Sequence, residues 1–165
     1  MGRGDGFALN MKKIVVLSDS HGNIKGIEKL YPILAENDMV IHLGDGSGDL
    51  RSFMREYPEK TYVVAGNCDF FSPYPLEGEI EVEGVKIFYC HGHKYRVKSA
   101  LYDLVEEAKK RDCQIALYGH THRAFIGEID GVTVINPGAF QFTSCYCYLV
   151  INGEKICPVI VGESI

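Results

Sequence analysis

Apolar residues gather along this chain in short unbroken runs, and each run ends in a polar, glycine-containing cluster. The first is Ile14-Val15-Val16-Leu17, followed by Ser18-Asp19-Ser20-His21-Gly22-Asn23. A continuous apolar run of this kind predicts a strand covered on both faces. Asn23 then fits a helix cap, with Ile24, Ile27, Leu30 and Leu34 at helical spacing behind it. Pro32 interrupts that pattern, so a kink or restart is expected near Tyr31. Met39-Val40-Ile41-His42-Leu43 predicts a second strand, closed by Gly44-Asp45-Gly46. Leu50, Phe53 and Met54 outline a short helix, and Thr61-Tyr62-Val63-Val64-Ala65 a third strand ending in Gly66-Asn67-Cys68-Asp69. Strand, helix, strand, helix, strand is the pattern of parallel βαβ units.

The second half reads differently. Residues 79–83 and 85–89 flank Gly84 as a hairpin, which runs into Cys90-His91-Gly92-His93. Val97, Leu101, Leu104, Val105 and Ala108 predict a helix from Val97 to Arg111. Its acids come early and Lys109-Lys110-Arg111 come last, matching the helix dipole. Ile115-Ala116-Leu117-Tyr118 leads into Gly119-His120-Thr121-His122, and further hairpins are expected about Asp130-Gly131 and Asn152-Gly153. Residues 1–10 show no periodicity and are expected to be a disordered extension, ahead of one mixed α/β (α+β) domain over 11–165.

Composition narrows the function. At 165 residues, 46% apolar and 24% charged, the chain can bury its own core. A net charge of −5 argues against a nucleic-acid groove, but not against a small phosphorylated substrate held through bound cations. No run approaches the ~18 apolar residues of a membrane helix, and the N-terminus lacks the apolar segment of a secretory signal. Six cysteines without a CxxC pair are then expected to be reduced thiols in the cytoplasm, with Cys145 and Cys147 packing on one strand face.

The strand-end clusters carry the chemistry. Asp19, His21, Asp45, Asn67, His91, His120 and His122 combine carboxylate, imidazole and amide oxygen, and include four of the six histidines. Such a set suits divalent Mn, Fe, Zn, Co or Ni. Seven donors are too many for one ion with an open position but suit two, with Asp45 as the bridging carboxylate. The ends of parallel strands are also where ligands sit in sheets of this kind.

Asp19-Ser20-His21, Gly44-Asp45, Gly66-Asn67-Cys68-Asp69, His91-Gly92-His93 and Gly119-His120-Thr121-His122 resemble, in order, the five motifs of the calcineurin-like metallophosphoesterases. The short length and the Gly-Asn-Cys-Asp form look most like the small YfcE-type phosphodiesterases. The resemblance implies a two-sheet β-sandwich flanked by helices (αββα). It implies one ion held by Asp19, His21, Asp45 and His122, and another held by Asp45, Asn67, His91 and His120. It also implies hydrolysis of a small phosphodiester by a hydroxide bridging the ions, manganese being the first candidate metal. Asp45, Asn67, His91, Cys68 and His93 are the residues expected nearest the reaction. Cys68 departs from the pattern, because the protein phosphatases of the superfamily have histidine there as proton donor. A thiol of pKa about 8.5 donates poorly at neutral pH, so leaving-group acidity should matter more here. Cys68 as a covalent nucleophile ranks second. His93 either reaches a phosphoryl oxygen or is structural, and Asp69 and His42 either orient a ligand or serve the core. Lys94, Arg96, Lys98 and Arg123 either attract an anion or form a solvated face, and Tyr31, Tyr57 and Tyr102 are expected in the core. A diester is favoured because no arginine pair stands near the motifs. The alternatives are a phosphomonoesterase, a nuclease, or a protein-binding scaffold resembling the retromer subunit of the superfamily. The strand-rich C-terminal part leaves a homodimer open.

Overall fold

The computed structural model describes residues 11–162; the extension expected over 1–10 lies outside the described residues. In chain order the elements are β1 (Met11–Leu17), α1 (Ile24–Glu36), β2 (Met39–His42), α2 (Arg51–Glu56), β3 (Thr61–Val63), β4 (Glu77–Val82) and β5 (Val85–Cys90). A short 3-10 turn (His93–Tyr95) precedes α3 (Tyr102–Lys110), β6 (Ile115–Leu117), β7 (Phe125–Ile129), β8 (Val132–Asn136), α4 (Phe140–Thr143), β9 (Tyr146–Asn152) and β10 (Lys155–Val161). One sheet runs β10-β9-β1-β2-β3, the other β4-β5-β6-β8-β7. β1, β2 and β3 are parallel, as are β5, β6 and β8, while the hairpin strands close the edges antiparallel.

The apolar runs are continuous because both faces of these strands are covered. In β1, Ile14 and Val16 enter the layer between the sheets, whereas Val15 and Leu17 meet Ile27, Leu30 and Leu34 of α1 and Phe53 of α2. In β6, Ile115 and Leu117 fill that same layer from the other side, and Ala116 packs under Leu104, Val105 and Ala108 of α3. The result is the expected αββα sandwich. Among the described residues no helix is long and apolar enough to cross a membrane.

Four local expectations are corrected. α1 does not restart at Tyr31 but continues from Ile24 to Glu36 with Pro32 inside it. Pro32 and Glu28 both lie on the exposed face, so the carbonyl that loses its partner there can meet water. The helix expected from Val97 begins only at Tyr102, because Arg96 takes a left-handed conformation (φ 52°) that closes the 3-10 turn instead. Val97 is nonetheless buried, so its apolar character reported burial and not helix. Tyr31 and Tyr57 do pack on Phe53, but Tyr102 is exposed. The last hairpin turns on Gly153-Glu154, since Asn152 pairs with Lys155. All six cysteines are free thiols; Cys147 belongs to the inter-sheet core, and Cys145 lies buried just ahead of β9.

Asn23 ties α1 to the end of the molecule where the polar clusters gather. Its side-chain oxygen accepts from the Gly26 N–H at 3.0 Å and its Nδ2 donates to the Gln141 carbonyl at 2.9 Å. Asn23→Ala removes both bonds and should lower stability by about 1–2 kcal/mol, read as a lower urea midpoint at unchanged slope.

Candidate metal centre

β1, β2, β3, β5 and β6 all release their chains at one rim of the sandwich, and backbone hydrogen bonds lock the emerging loops together. The Asp19 N–H donates to the Gly44 carbonyl at 3.0 Å, His21 N–H to the Asp45 carbonyl at 3.0 Å, and Gly119 N–H to the His91 carbonyl at 2.9 Å. Across the two sheets, the His120 N–H donates to Asp19 Oδ2 at 3.1 Å. Ser18 Oγ holds that same oxygen at 2.6 Å.

Six of the seven expected donors converge in two groups, Asp19, His21 and His122 in one and Asp45, His91 and His120 in the other. His122 Nε2 lies 3.2 Å and His21 Nε2 3.7 Å from Asp19 Oδ1. His91 Nε2 lies 3.3 Å from Asp45 Oδ2 and 3.2 Å from His120 Nδ1. The groups share a border: Asp45 Oδ2 is also 3.8 Å from His21 Nε2, and Asp19 Oδ1 is 3.9 Å from His91 Nε2. Asp45 presents a single oxygen to both sides, because its Oδ1 accepts the Cys68 N–H at 2.8 Å. Asn67, whose donor would be an amide oxygen, has an exposed side chain with Nδ2 3.6 Å from Cys68 Sγ. Its loop nevertheless abuts Asp45 through that Cys68 N–H.

The arrangement fits divalent cations. Ligands ~2.0–2.2 Å from one ion stand roughly 3–3.6 Å apart, close to the spacings within each group. Asp19 Oδ1, His21 Nε2 and His93 Nδ1 are buried with no hydrogen-bond partner among the described residues, and buried polar atoms are rarely left so. The backbone is strained in the same place. Asp19, His21, Asp45, His120 and His122 have φ of 55°, 41°, 57°, 70° and 63°, a left-handed region that disfavours side chains by about 1 kcal/mol or more each. The interlocked loops hold them there.

Charge and tautomer follow from the contacts. His91 is fully buried and its Nδ1–H donates to the Leu43 carbonyl at 2.8 Å, which leaves Nε2 facing Asp45 and His120. A backbone carbonyl behind the ring is the usual support of a ligating histidine. Burial pulls the His91 pKa down, but Asp45 and Asp19 outweigh it and the net shift is upward. Burial likewise acts to raise the Asp45 carboxyl, and His91 together with the Cys68 N–H brings it well below the usual range. Burial, then the charges of His91 and Lys98, push His120 down to about 4. His93, at the start of the 3-10 turn, is lowered by burial and by His91. Burial and the neighbouring Asp45 carboxylate raise the Cys68 thiol.

Behind the donors stand supports: His42 and Asp69, which the sequence offered as either ligand-orienting or core residues, and Asp49 and Asn136, which it did not mark. Gly44 N–H donates to His42 Nδ1 at 3.0 Å, which makes Nε2 the protonated nitrogen that donates to Ser20 Oγ at 2.8 Å. Ser20 Oγ–H then donates to Asp49 Oδ2 at 2.6 Å, where Gly22 N–H also donates at 2.8 Å. This chain ties the β1 loop to the β2 loop, and His42 proves to be its buried centre. Asp69 accepts four backbone N–H groups, from Asp45, Gly46, Ser47 and Gly66, at 2.7–3.1 Å. Burial would raise its pKa, and those four donors carry it down instead. Asn136 Nδ2 donates to the Gly119 carbonyl at 3.1 Å and to Thr121 Oγ1 at 3.0 Å. Nothing in the sequence around Asp49 or Asn136 marks them.

His42 gives a pH signature. Burial lowers its pKa to about 4, against ~6.5 in an unfolded chain. The unfolded state therefore takes up the proton first as pH falls; the stability is complete above pH ~6.5 and is lost on the way down to ~4. Between pH 7 and pH 5 the native protein should lose about 2 kcal/mol more than His42→Gln in urea unfolding.

Residues 11–153 match the family model of the calcineurin-like phosphoesterase superfamily domain. A probable metallophosphoesterase of Mycoplasma pneumoniae is 35% identical over 160 residues, covering 88% of this chain and 94% of its own. A phosphodiesterase of Methanocaldococcus jannaschii is 28% identical over 159 residues, covering 76% and 82%. Among solved structures, a predicted phosphoesterase of Streptococcus pneumoniae superposes with a TM-score of 0.79 at 25% identity, over 94% of this chain and 93% of its own. Vacuolar protein sorting 29 of Cryptosporidium parvum, with a TM-score of 0.75 at 17% identity over 94% and 99%, shares the fold. With its strand-end motifs converging on one rim and the family match spanning nearly the whole domain, the chain belongs to the calcineurin-like phosphoesterase superfamily.

Proposed function

We propose that this phosphoesterase is a phosphodiesterase that holds two divalent ions. The observation that carries this is Asp45 Oδ2, which faces both donor groups at 3.8 and 3.3 Å while Oδ1 is fixed from behind. One ion would take Asp19, His21, Asp45 and His122. The other would take Asp45, His91, His120 and Asn67 through its amide oxygen. When bound, the ions supply Lewis-acid activation of water and offset the charge on the phosphoryl oxygens, and the mixed oxygen and nitrogen donors suit Mn, Fe, Zn, Co or Ni, of which manganese is the first to test.

The chain's own residues do the rest. Hydrolysis adds a water oxygen to phosphorus, breaks the bond to the leaving alcohol, and sends a proton to that alcohol. Asp69 and the Asp49–Ser20–His42 chain keep the donor loops in register. His93, its ring 5.5 Å from His91 centroid to centroid, offers a nitrogen toward a phosphoryl oxygen. The raised Cys68 thiol keeps its proton at neutral pH, so it is neither a thiolate nucleophile nor a ready acid. Cys68→Ala should therefore hold turnover of an aryl diester within about 3-fold of native, checked by steady-state kinetics on metal-loaded protein. Loss of all turnover with both metals retained would reverse that ranking.

A diester is favoured over a monoester by the phosphodiesterase relative. A scaffold role is disfavoured by a sequence that fills all seven expected donor positions. Six free thiols support a reducing, cytoplasmic setting. The deciding experiment is hydrolysis of bis-p-nitrophenyl phosphate against p-nitrophenyl phosphate, on protein stripped of metal and reloaded with manganese. Diester turnover well above monoester turnover, abolished by stripping, is expected. Preference for the monoester would make the protein a phosphatase, and two bound ions with no turnover would favour the scaffold.

A further inference from the structure

Beside the His120–His122 loop lies an open cleft of about 580 Å3, inside the ~300–1,000 Å3 of small-molecule sites. Both its walls belong to segments that already position the metal-centre donors. One wall is the stretch from Tyr118 to Phe125, which carries His120 and His122. Asn136 pins Thr121 between those histidines, so this wall is fixed relative to them. The other wall is the turn from Val97 to Leu101. Val97 fits against Gly92, where an added Cβ would come within 2.9 Å of it, and Gly92 directly follows His91. The cleft thus adjoins the metal-centre loop through Thr121 and Arg123, and its lining includes none of the donor side chains.

Its lining divides into two kinds of surface. Val97, Leu101, Tyr118 and Phe125 make an apolar floor, with Phe125 37% exposed to water. Lys98 and Arg123 add two cations, and among the described residues neither forms an ion pair. Lys94 and Arg96, close by in sequence, are each neutralised by an acid. No Asp or Glu lines the cleft, in a chain that carries 22 of them. Two unopposed cations over an apolar floor make a local positive field in an acidic protein, and such a field selects anions that also carry apolar surface.

We propose that this cleft receives one alcohol group of the diester, and that this group carries an aromatic ring and a second anionic group, as a nucleoside 5′-phosphate unit does. The catalytic meaning rests on the phosphodiesterase reading above; the binding does not. The ring lies on the Phe125 side of the floor, and the second anion is held between Lys98 and Arg123. The cleft's volume suits one such unit and not a strand, in keeping with the net charge of −5.

The test is a calorimetric titration of metal-stripped protein with thymidine 5′-monophosphate, thymidine and inorganic phosphate in turn. The monophosphate should bind about ten-fold more tightly than either fragment. A Lys98→Ala/Arg123→Ala double variant should bring it down to the level of thymidine, and Phe125→Ala should weaken thymidine and the monophosphate together. Equal binding of thymidine and its monophosphate, or an advantage that survives in the double variant, would overturn the proposal. On manganese-loaded protein, the ratio of kcat/KM for a 5′-phosphorylated thymidine dinucleotide over the unphosphorylated one should be about ten, and near one in the double variant. A protein that cleaves no diester yet binds the monophosphate through Lys98 and Arg123 refutes the phosphodiesterase reading and leaves the cleft assignment standing. One that cleaves bis-p-nitrophenyl phosphate but shows neither the binding nor the ratio does the reverse.

Discussion

Asp45→Asn is expected to lower kcat/KM for bis-p-nitrophenyl phosphate by about 10³-fold or more and to cut the bound manganese toward one ion per chain. The substitution is nearly isosteric, so the backbone bond from Cys68 to Oδ1 and the four N–H bonds to Asp69 have no reason to fail. What changes is charge. Asp19 and Asp45 are the only carboxylates in the two donor groups, so the substitution leaves a single carboxylate beside four neutral histidines to offset two divalent ions. A neutral amide also presents either one oxygen or an N–H where Oδ2 now faces both sides, and an N–H repels a cation. Metal content by elemental analysis and steady-state kinetics on one preparation separate the outcomes. Full activity with one ion bound would mean that a single-ion site carries the reaction and that the bridging role assigned to Asp45 is wrong.

The sequence showed this site well because the fold delivers it through a regular device. A parallel strand buried on both faces must be apolar throughout, so the first polar residue after it marks its C-terminal end. Asp19, Asp45, His91 and His120 all follow such runs, and the structure brings all four to one rim. What could not be read was anything set by a contact distant in sequence. Asp49 meets Ser20 across 29 positions and Asn136 meets Thr121 across 15, and neither residue type nor spacing announces such a bond. Local readings failed where burial and conformation part company. Val97 is apolar because it packs against Gly92, not because it begins a helix, and Pro32 is harmless because its helix face meets water. The left-handed backbone at five donors is largely hidden, since Asp and His adopt positive φ more often than most side chains but far less readily than glycine.

Gly66→Ala is expected to cost about 10²-fold in kcat/KM although it touches no donor atom of either group. Gly66 has no unusual φ, so its conformation permits alanine; the obstacle is space. A Cβ there would collide with Asp45 Oδ1 and come within 2.6 Å of the Asp45 backbone nitrogen. The crowding is mutual, because a Cβ on Gly44 would lie 2.5 Å from the Gly66 nitrogen. The two loops approach this closely so that Cys68 N–H can hold Asp45 Oδ1 and Asp69 can hold the Asp45 N–H. Relieving the clash must move Asp45 away from one donor group or the other, and a shift of about 1 Å in a reacting group is enough for a loss of this size. Gly84→Ala is the matched control. It lies in the turn between β4 and β5 with open space around it, and its φ of 80° makes alanine strained there, so it should lower stability while leaving kcat/KM near native. Equal kinetic losses in the two variants would mean that general destabilisation, and not the placement of Asp45, governs turnover.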